Sequence, residues 1–310
     1  MGNEKPSLSS NANGLYLGTA GWNYNDWRGC FYPRTPSRGF SELAYLSRYV
    51  TAAEVNTSFY RIPALHQADR WVAAVSDRPR FVFAMKLWQG FTHDPSPVAP
   101  GDVHAFSLVA ERLAQSGRLA GVLAQFPWSF KYGEDEIARL RRLAREFGRW
   151  RLIVEVRHAS WLRDETLDLL KELDCSFCNI DQPVIGQSAP PTALVTASPA
   201  YVRLHGRRYD VWFAEGEAPS ERYNYLYKTE EIAEWAERIR QLTPKAEQTL
   251  AIANNHFNAK AVATILELQH LLTGEKPAAP PELLEAFPHL RDICRLDPSA
   301  PPSGRQLELF

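Results

Sequence analysis

The stretch from residue 120 to residue 157 reads AGVLAQFPWSFKYGEDEIARLRRLAREFGRWRLIVEVR and contains the pattern from which the fold can be predicted. Its two ends, AGVLAQF (120–126) and RLIVEVR (151–157), are short and almost continuously apolar, which is typical of strands covered on both faces. Between them, the segment 134–147 carries apolar residues at helical spacing, namely Ile137, Leu140, Leu143, Ala144 and Phe147. The stretch therefore predicts a strand, a helix and a second strand parallel to the first.

The same alternation runs along most of the chain. Strand-like segments are predicted at 15–20, 51–57, 80–87, 120–126, 151–157, 175–180, 200–205 and 249–255. Further helical patterns occur in ETLDLLKEL, EEIAEWAERIRQL and AVATILELQHLL. Eight strands alternating with helices predict a TIM-type (β/α)8 barrel. A doubly wound open sheet is the alternative, but the first strand runs into GTAGWNY and not into the GxGxxG loop of a dinucleotide-binding sheet.

Length and composition are those of an ordinary globular protein. We expect one barrel domain over 14–273, a disordered N-terminus at 1–13 and a proline-rich region at 274–310 that ends in QLELF. The net charge of −1 argues against tight non-specific binding of nucleic acid through overall charge, although a local basic groove stays open as an alternative. The start of the chain lacks the apolar core of a signal peptide, and no apolar run approaches roughly 18 residues. A cytoplasmic protein without a membrane span is the expectation.

Two cysteines have the CxxC spacing of redox and zinc motifs, at Cys175 and Cys178. They lie in the strand-like segment LDCSFCNID, where residues three apart point to opposite faces. We therefore expect two buried cysteines with no shared chemistry.

Acidic and imidazole side chains fall at the carboxyl ends of several predicted strands, where the active sites of such barrels lie. The candidate catalytic residues are Glu54, Glu155, Asp181, His205 and His256. They could act as acid and base, or hold a divalent metal that activates water. No HExxH or similarly close ligand spacing is present, so the cofactor is left open. The structural alternative is an internal salt-bridge network, such as Glu155 with Arg203.

Cations and aromatic rings at the same strand ends predict a substrate site. Lys86, Arg157 and Arg203, together with Arg207, could clamp a phosphate or carboxylate. An aromatic loop that starts at Trp22 could stack a sugar or a base, or could instead pack as a lid over the barrel end. The candidate substrate-binding residues are Thr19, Trp22, Asn56, Tyr60, Lys86, His93, Arg157, Trp161, Arg203 and Asn255.

Seven motifs in order resemble the YecE-like family, also called domain of unknown function 72. They are GTAGWNYNDWRGCFYP, EVNTSFYRIP, FVFAMKLWQGFTHD, EVRHASW, YVRLHGR, YNYLYKTEEIAEWAERI and NNHFNAKA, and they extend over about residues 15–270. The resemblance implies a TIM-type barrel and no particular reaction. It also implies a shared cleft that contains most of the candidate residues above, together with Gly21, Phe59, Thr92 and Gly206.

The last five residues, QLELF, resemble the motif that binds the bacterial sliding clamp. The resemblance implies that Gln306, Leu307, Leu309 and Phe310 contact this partner, with the Leu-Phe pair filling an apolar pocket. The segment SAPPSGR before them reads as a linker that would hold the motif away from the barrel. The alternative is that the tail folds back onto the barrel.

Three functions are compatible with these observations. The first is a hydrolase or lyase of DNA repair or replication that acts on a phosphate-containing nucleic acid and is recruited by the clamp. The second is a small-molecule enzyme that acts on a sugar or sugar phosphate. The third is a binding module without turnover.

Overall fold

The computed structural model describes residues 14–96, 98–212 and 219–300. Eight parallel strands close into a barrel, with β1 paired to β8 as well as to β2. The strands are β1 Leu15–Ala20, β2 Ala52–Val55, β3 Val82–Lys86, β4 Leu119–Gln125, β5 Leu152–Glu155, β6 Ser176–Asp181, β7 Ala200–Leu204 and β8 Thr249–Ala253. The predicted (β/α)8 barrel is confirmed, and the closed ring rules out the open doubly wound sheet.

Helices cover the outside of the barrel and separate successive strands, except between β6 and β7, where residues 182–199 form a connection without a helix. They are α1 Glu42–Leu46, α2 Leu65–Ala74, α3 Gln89–Thr92, α4 Pro100–Gln115, α5 Glu134–Phe147, α6 Asp164–Glu172, α7 Thr229–Leu242, α8 Lys260–Thr273 and α9 Pro281–Ala286. Helix α5 has the predicted bounds and buries Leu140, Leu143 and Phe147. Its Arg141 pairs with Glu172 on the exposed side at 2.5 Å. None of the described helices is long and apolar enough to cross a membrane.

Alternation along each strand decides which side chains enter the barrel. In β6, Cys178 and Ile180 pack in the barrel interior, whereas Phe177 faces the helices. Cys175, just before this strand, also packs on the helix side. The two cysteines of the CxxC spacing are therefore buried free thiols on opposite faces, as the strand prediction requires.

The region after α8 packs back onto the barrel. Short strands at Ala278–Ala279 and Arg295–Leu296 pair in parallel, and Asp297 accepts hydrogen bonds from Arg48 at 2.6 Å and Tyr49 at 2.8 Å. Arg48 and Tyr49 follow α1 and precede β2, so the chain up to residue 300 lies near the end of the barrel where strands begin. The expected disordered N-terminus at 1–13 and the expected clamp-binding residues Gln306, Leu307, Leu309 and Phe310 lie outside the described residues.

Candidate functional site

An ion cluster formed by Glu54, Glu155 and Arg203 occupies the barrel interior. Arg203 on β7 donates from Nη2 to Glu54 Oε1 at 2.6 Å and from Nη1 to Glu155 Oε2 at 2.5 Å. Each of the three side chains is at most 1% exposed. The hydroxyl of Tyr201 donates to the second oxygen of Glu54 at 3.1 Å. The internal salt bridge that the sequence left as an alternative is therefore present, with a second carboxylate added.

The charges of this cluster compensate one another. Burial alone would raise the pKa of Glu155, but Arg203 and Arg157 hold it well below its usual range. Arg157 donates to Glu155 Oε1 from Nε at 2.9 Å and from Nη2 at 2.7 Å. A carboxylate bound by two guanidinium groups is a poor proton acceptor, so Glu155 is better suited to positioning than to general-base work.

His205 lies directly above Glu155 and is neutral near pH 7. Asn254 Nδ2 lies 3.0 Å from His205 Nδ1, and His205 Nε2 lies 3.2 Å from Glu155 Oε1 and 3.3 Å from Arg157 Nη2. Burial, and next the positive charge of Arg157, lower the pKa of His205 to about 3. This imidazole is fully buried and holds the side chains around it in register.

Lys86 ends β3 and reaches the barrel mouth beside the ion cluster. Its Nζ lies 3.8 Å from the centroid of the Phe59 ring, and the residue is 7% exposed. Within the described residues its amine has neither a salt bridge nor a hydrogen bond. Burial, and next the neighbouring Arg203, lower the pKa of Lys86 to about 7. The amine is thus partly neutral near pH 7 and is a weaker anion clamp than the sequence suggested.

His93 flanks the same phenylalanine ring. Its imidazole meets Phe59 edge-on at 5.0 Å, and its Nδ1 lies 2.9 Å from the hydroxyl of Thr92. Burial, and next Lys86, lower the pKa of His93 to about 4. A neutral imidazole and a partly neutral amine therefore face the mouth side by side.

An aromatic pocket of about 500 Å³ opens next to these groups. Its ring-bearing walls are Trp22, Tyr24, Tyr60, Trp71, Tyr223 and His256, and its polar groups include Asn56, Gln67 and Arg222. Trp22 packs edge-on against Trp71 with centroids 5.9 Å apart, and Tyr24 stacks on His256 at 4.4 Å. Tyr60 is 69% exposed, so one wall offers an open ring face.

The aromatic loop divides into a binding part and a packing part. Gly21 has a φ of +83°, and a Cβ there would lie 2.6 Å from the Tyr24 hydroxyl, so glycine is required to turn Trp22 and Tyr24 into the mouth. Trp27, Phe31 and Tyr32 are fully buried. These three rings therefore pack as a lid, and the predicted stacking role remains for Trp22 and Tyr24.

Asp181, a candidate catalytic residue, is not brought to the mouth. Strand alternation places Cys178 and Ile180 inside the barrel, so the Asp181 side chain faces the helices. There it accepts from Arg207 Nε at 3.0 Å, and Arg207 also contacts Glu231 at 3.1 Å. Burial raises the pKa of Asp181, while Arg207 opposes the shift. Both side chains of this pair support the fold, and Arg207 is not available as an anion clamp.

Three candidate substrate-binding residues are also turned away from the pocket. Thr19 donates to the carbonyl of Gly21 at 2.8 Å and steadies the turn after β1. Trp161 is fully buried and donates to the carbonyl of Phe130 at 2.8 Å. Asn255 donates to Thr264 on α8 at 3.0 Å. These side chains stabilise the strand ends and do not line the pocket.

The metal hypothesis finds no suitable ligand set in the described part of the chain. No group of three or more His, Cys, Asp or Glu side chains is placed there to hold a metal ion. The oxygens of Glu54 and Glu155 are directed at arginines, and His256 stacks on a tyrosine. A cation would have to displace guanidinium groups from the ion cluster, so the residues present do not fit a resident metal.

The family model described as "Protein of unknown function DUF72" matches residues 16–286. The chain belongs to this family. It is 26% identical over 287 residues to the UPF0759 protein YunF of Bacillus subtilis (strain 168). The alignment covers 88% of this chain and 100% of that protein. The resemblance to domain of unknown function 72 that the motifs indicated is thus confirmed.

Crystal structures of other DUF72 proteins have the same fold. A DUF72 protein from Thermotoga maritima MSB8 superposes with a TM-score of 0.72 at 29% identity, covering 83% of this chain and 98% of that one. A second, from Enterococcus faecalis V583, gives a TM-score of 0.73 at 25% identity, covering 83% and 95% of the two chains. The family description assigns no activity, so function must be argued from the site.

Some residues that line the pocket of this DUF72 protein were not among the candidates predicted from the sequence. Trp71 lies on α2 and Arg222 and Tyr223 lie in a short 3-10 helix, Pro219–Tyr223. None of them stands at a strand end, which is where candidates were sought. The one available signal was composition, since large rings such as the nine tryptophans line ligand clefts as well as cores.

Proposed function

We propose that this DUF72 protein binds a phosphate-bearing nucleic-acid strand at the barrel mouth and seats one unstacked nucleotide in the aromatic pocket. The observation that carries this proposal is a cavity of about 500 Å³ walled by aromatic rings, one of them the open face of Tyr60. Bases stack on such rings with roughly 1–3 kcal/mol each, whatever their sequence.

The charges of this protein favour local contacts with a bound phosphate over long-range attraction of a nucleic acid. A net charge of −1 gives little bulk attraction for a polyanion. Arg222 lines the pocket. The Arg157 guanidinium, 12% exposed, lies 5.8 Å from the ring centroid of Trp212, which in turn packs 6.3 Å from the pocket residue Tyr223. Two arginines near one aromatic pocket suit a single phosphate next to a single base. A single-stranded or damaged site is the preferred target, because a base that is already unpaired costs least to extrude.

A sugar phosphate is the second candidate substrate. The pocket volume lies within the range of roughly 300–1,000 Å³ that is common for small-molecule sites. The same rings could stack on a sugar, and the same arginines could bind its phosphate. Under this alternative a single small molecule would fill the pocket and a strand would not bind.

Removal of the exposed ring tests the pocket. We expect Tyr60→Ala to weaken binding of a labelled single-stranded oligonucleotide by about tenfold, since one stacking contact is lost. Fluorescence anisotropy of the full-length protein measures this change. Tyr209→Ala is the matched control, because Tyr209 is 55% exposed and does not line the pocket. Tight binding of a sugar phosphate with no oligonucleotide binding would select the second candidate.

The C-terminal motif supplies the proposed partner, a bacterial sliding clamp. The described chain reaches residue 300 near the barrel end where strands begin, opposite the mouth. We expect the full-length protein to bind the clamp in a pull-down or by calorimetry. A chain truncated after residue 303 should not bind. Equal binding by both, or by neither, removes the support for this partner.

A further inference from the structure

Lys86 is distinguished from the other cations of the mouth by what surrounds it. Arg203 takes one oxygen from each of Glu54 and Glu155, at 2.6 and 2.5 Å, and Arg157 takes the second oxygen of Glu155. Both carboxylates are therefore already bound by guanidinium groups. Within the described residues, the Lys86 amine contacts the face of the Phe59 ring, 3.8 Å from the ring centroid.

The charges around this amine leave no counter-ion for it. Two carboxylates, Glu54 and Glu155, face two guanidinium groups, Arg203 and Arg157, while His205 and His93 are neutral. A proton on Lys86 would thus be an uncompensated charge in a site that is only 7% exposed. A lysine that is desolvated and lies next to other cations is the standard arrangement of a nucleophilic amine.

We propose that Lys86 is a nucleophile that forms a Schiff base with the open-chain aldehyde of a phosphorylated sugar. This inference rests on the proposed function, because the neighbouring aromatic pocket and arginines would hold the substrate. Asn56 and Tyr60, which line the pocket, belong to the same turn as Phe59, so the amine and the pocket share one wall.

The proposed step balances without a cofactor. The neutral amine of Lys86 attacks the aldehyde carbon, so a C–N bond forms and the electrons of the C=O double bond move to the oxygen. The nitrogen passes one proton to this oxygen through water, which gives a carbinolamine. A second proton from solvent lets the hydroxyl leave as water, and the nitrogen lone pair forms the C=N bond of the iminium ion. Its positive charge would lie against the Phe59 ring, whose face stabilises cations. Addition of water reverses the sequence and returns the free amine.

The iminium ion would also make the neighbouring carbon acidic. Removal of a proton from that carbon gives an enamine, and a phosphate ester on the next carbon can then leave with the electrons of its C–O bond. The unprotonated imidazole of His93, a weak base that meets the same Phe59 ring edge-on, is the acceptor that we assign to this proton. Such chemistry fits a lyase, one of the two reaction types that the sequence suggested.

The aldehyde could come from two sources. One is an abasic deoxyribose within a DNA strand, and the other is a free sugar phosphate. The experiment therefore uses three probes with the full-length protein and sodium cyanoborohydride, which reduces an iminium ion to a stable amine. The probes are an oligonucleotide with one abasic deoxyribose, the same oligonucleotide with a tetrahydrofuran analogue that has no aldehyde, and 2-deoxyribose 5-phosphate.

Intact mass and peptide mapping of the wild-type protein decide the result. We expect an aldehyde probe to form an adduct at Lys86. The tetrahydrofuran analogue should form none. Lys86→Met should lose the adduct and Lys171→Met, which removes an exposed lysine, should keep it. Absence of any adduct, or one spread over surface lysines, overturns the proposal even where Lys86→Met fails to fold.

The probes also separate this inference from the proposed function. An adduct at Lys86 with the free sugar phosphate but not with the abasic oligonucleotide supports the nucleophile and contradicts the nucleic-acid proposal. Binding of the oligonucleotides with no adduct from either aldehyde supports the nucleic-acid proposal and rejects the nucleophile.

Discussion

The ion cluster and the aromatic pocket lie next to each other in one barrel mouth, yet they use their side chains in opposite ways. In the cluster, Glu54, Glu155 and Arg203 are at most 1% exposed and satisfy one another. In the pocket, Tyr60 is 69% exposed and its ring face has open space before it. A charged residue inside a barrel strand is therefore not by itself evidence for catalysis.

Lys86 marks the boundary between the two regions. It stands on a strand like Arg203, but its amine has no carboxylate partner in the described part of the chain and it borders the mouth. Arg203 satisfies both carboxylates because its planar guanidinium directs Nη1 at Glu155 and Nη2 at Glu54 in one fixed geometry. The cluster is thus predicted to matter for stability, the pocket for binding, and Lys86 for reactivity.

The largest expected effect comes from breaking the ion cluster. Arg203→Met leaves two buried carboxylates without a cation between them, and we expect the free energy of unfolding to fall by about 3–5 kcal/mol. Urea denaturation followed by circular dichroism measures this loss. Arg141→Met, which breaks an exposed pair with Glu172, is the control and should cost no more than about 1 kcal/mol. Similar losses in both variants would contradict the structural role of the cluster.

A smaller effect should appear in the pH dependence of stability at Lys86. Its folded pKa is lowered to about 7, whereas an unfolded lysine titrates near about 10.4. Between these values the unfolded chain holds more protons at this position, so stability is full above the upper value and falls as pH drops towards the lower one. The slope is at most about 1.4 kcal/mol per pH unit.

Comparison with Lys86→Met isolates this contribution. The difference in unfolding free energy between wild type and the variant should grow in favour of the wild type as pH rises from neutral towards pH 9. Lys171→Met, at an exposed position, should show no such trend. A constant difference across this range would mean that Lys86 keeps its proton in the folded protein.

The sequence predicted the barrel well because hydrophobic alternation is a local signal. The stretch 120–157 contains a complete strand, helix and strand, and the bounds of α5 agree with its apolar spacing. The two faces of the CxxC strand followed from the same alternation. The predicted strand segment ended at residue 180. Extending the same alternation to residue 181 would have placed the side chain of Asp181 on the helix side.

The pocket was harder to predict because its walls come from distant parts of the chain. Trp22 follows β1, Trp71 lies on α2 and Tyr223 precedes α7, and only the closed barrel brings them together. Whether Glu155 and Arg203 serve catalysis or pair with each other depends on the distance between their side chains across the barrel. That distance cannot be read from residue type and spacing in the sequence.

Photo-cross-linking of the full-length protein to a 4-thiothymidine oligonucleotide tests whether the aromatic pocket holds a base of a nucleic-acid strand. The reactive base should attach to a ring that lines the aromatic pocket, and peptide mapping should place it at Trp22, Tyr60 or Tyr223. Cross-links confined to surfaces away from the mouth, such as the arginine-bearing face of α5, would contradict binding of a base in the aromatic pocket.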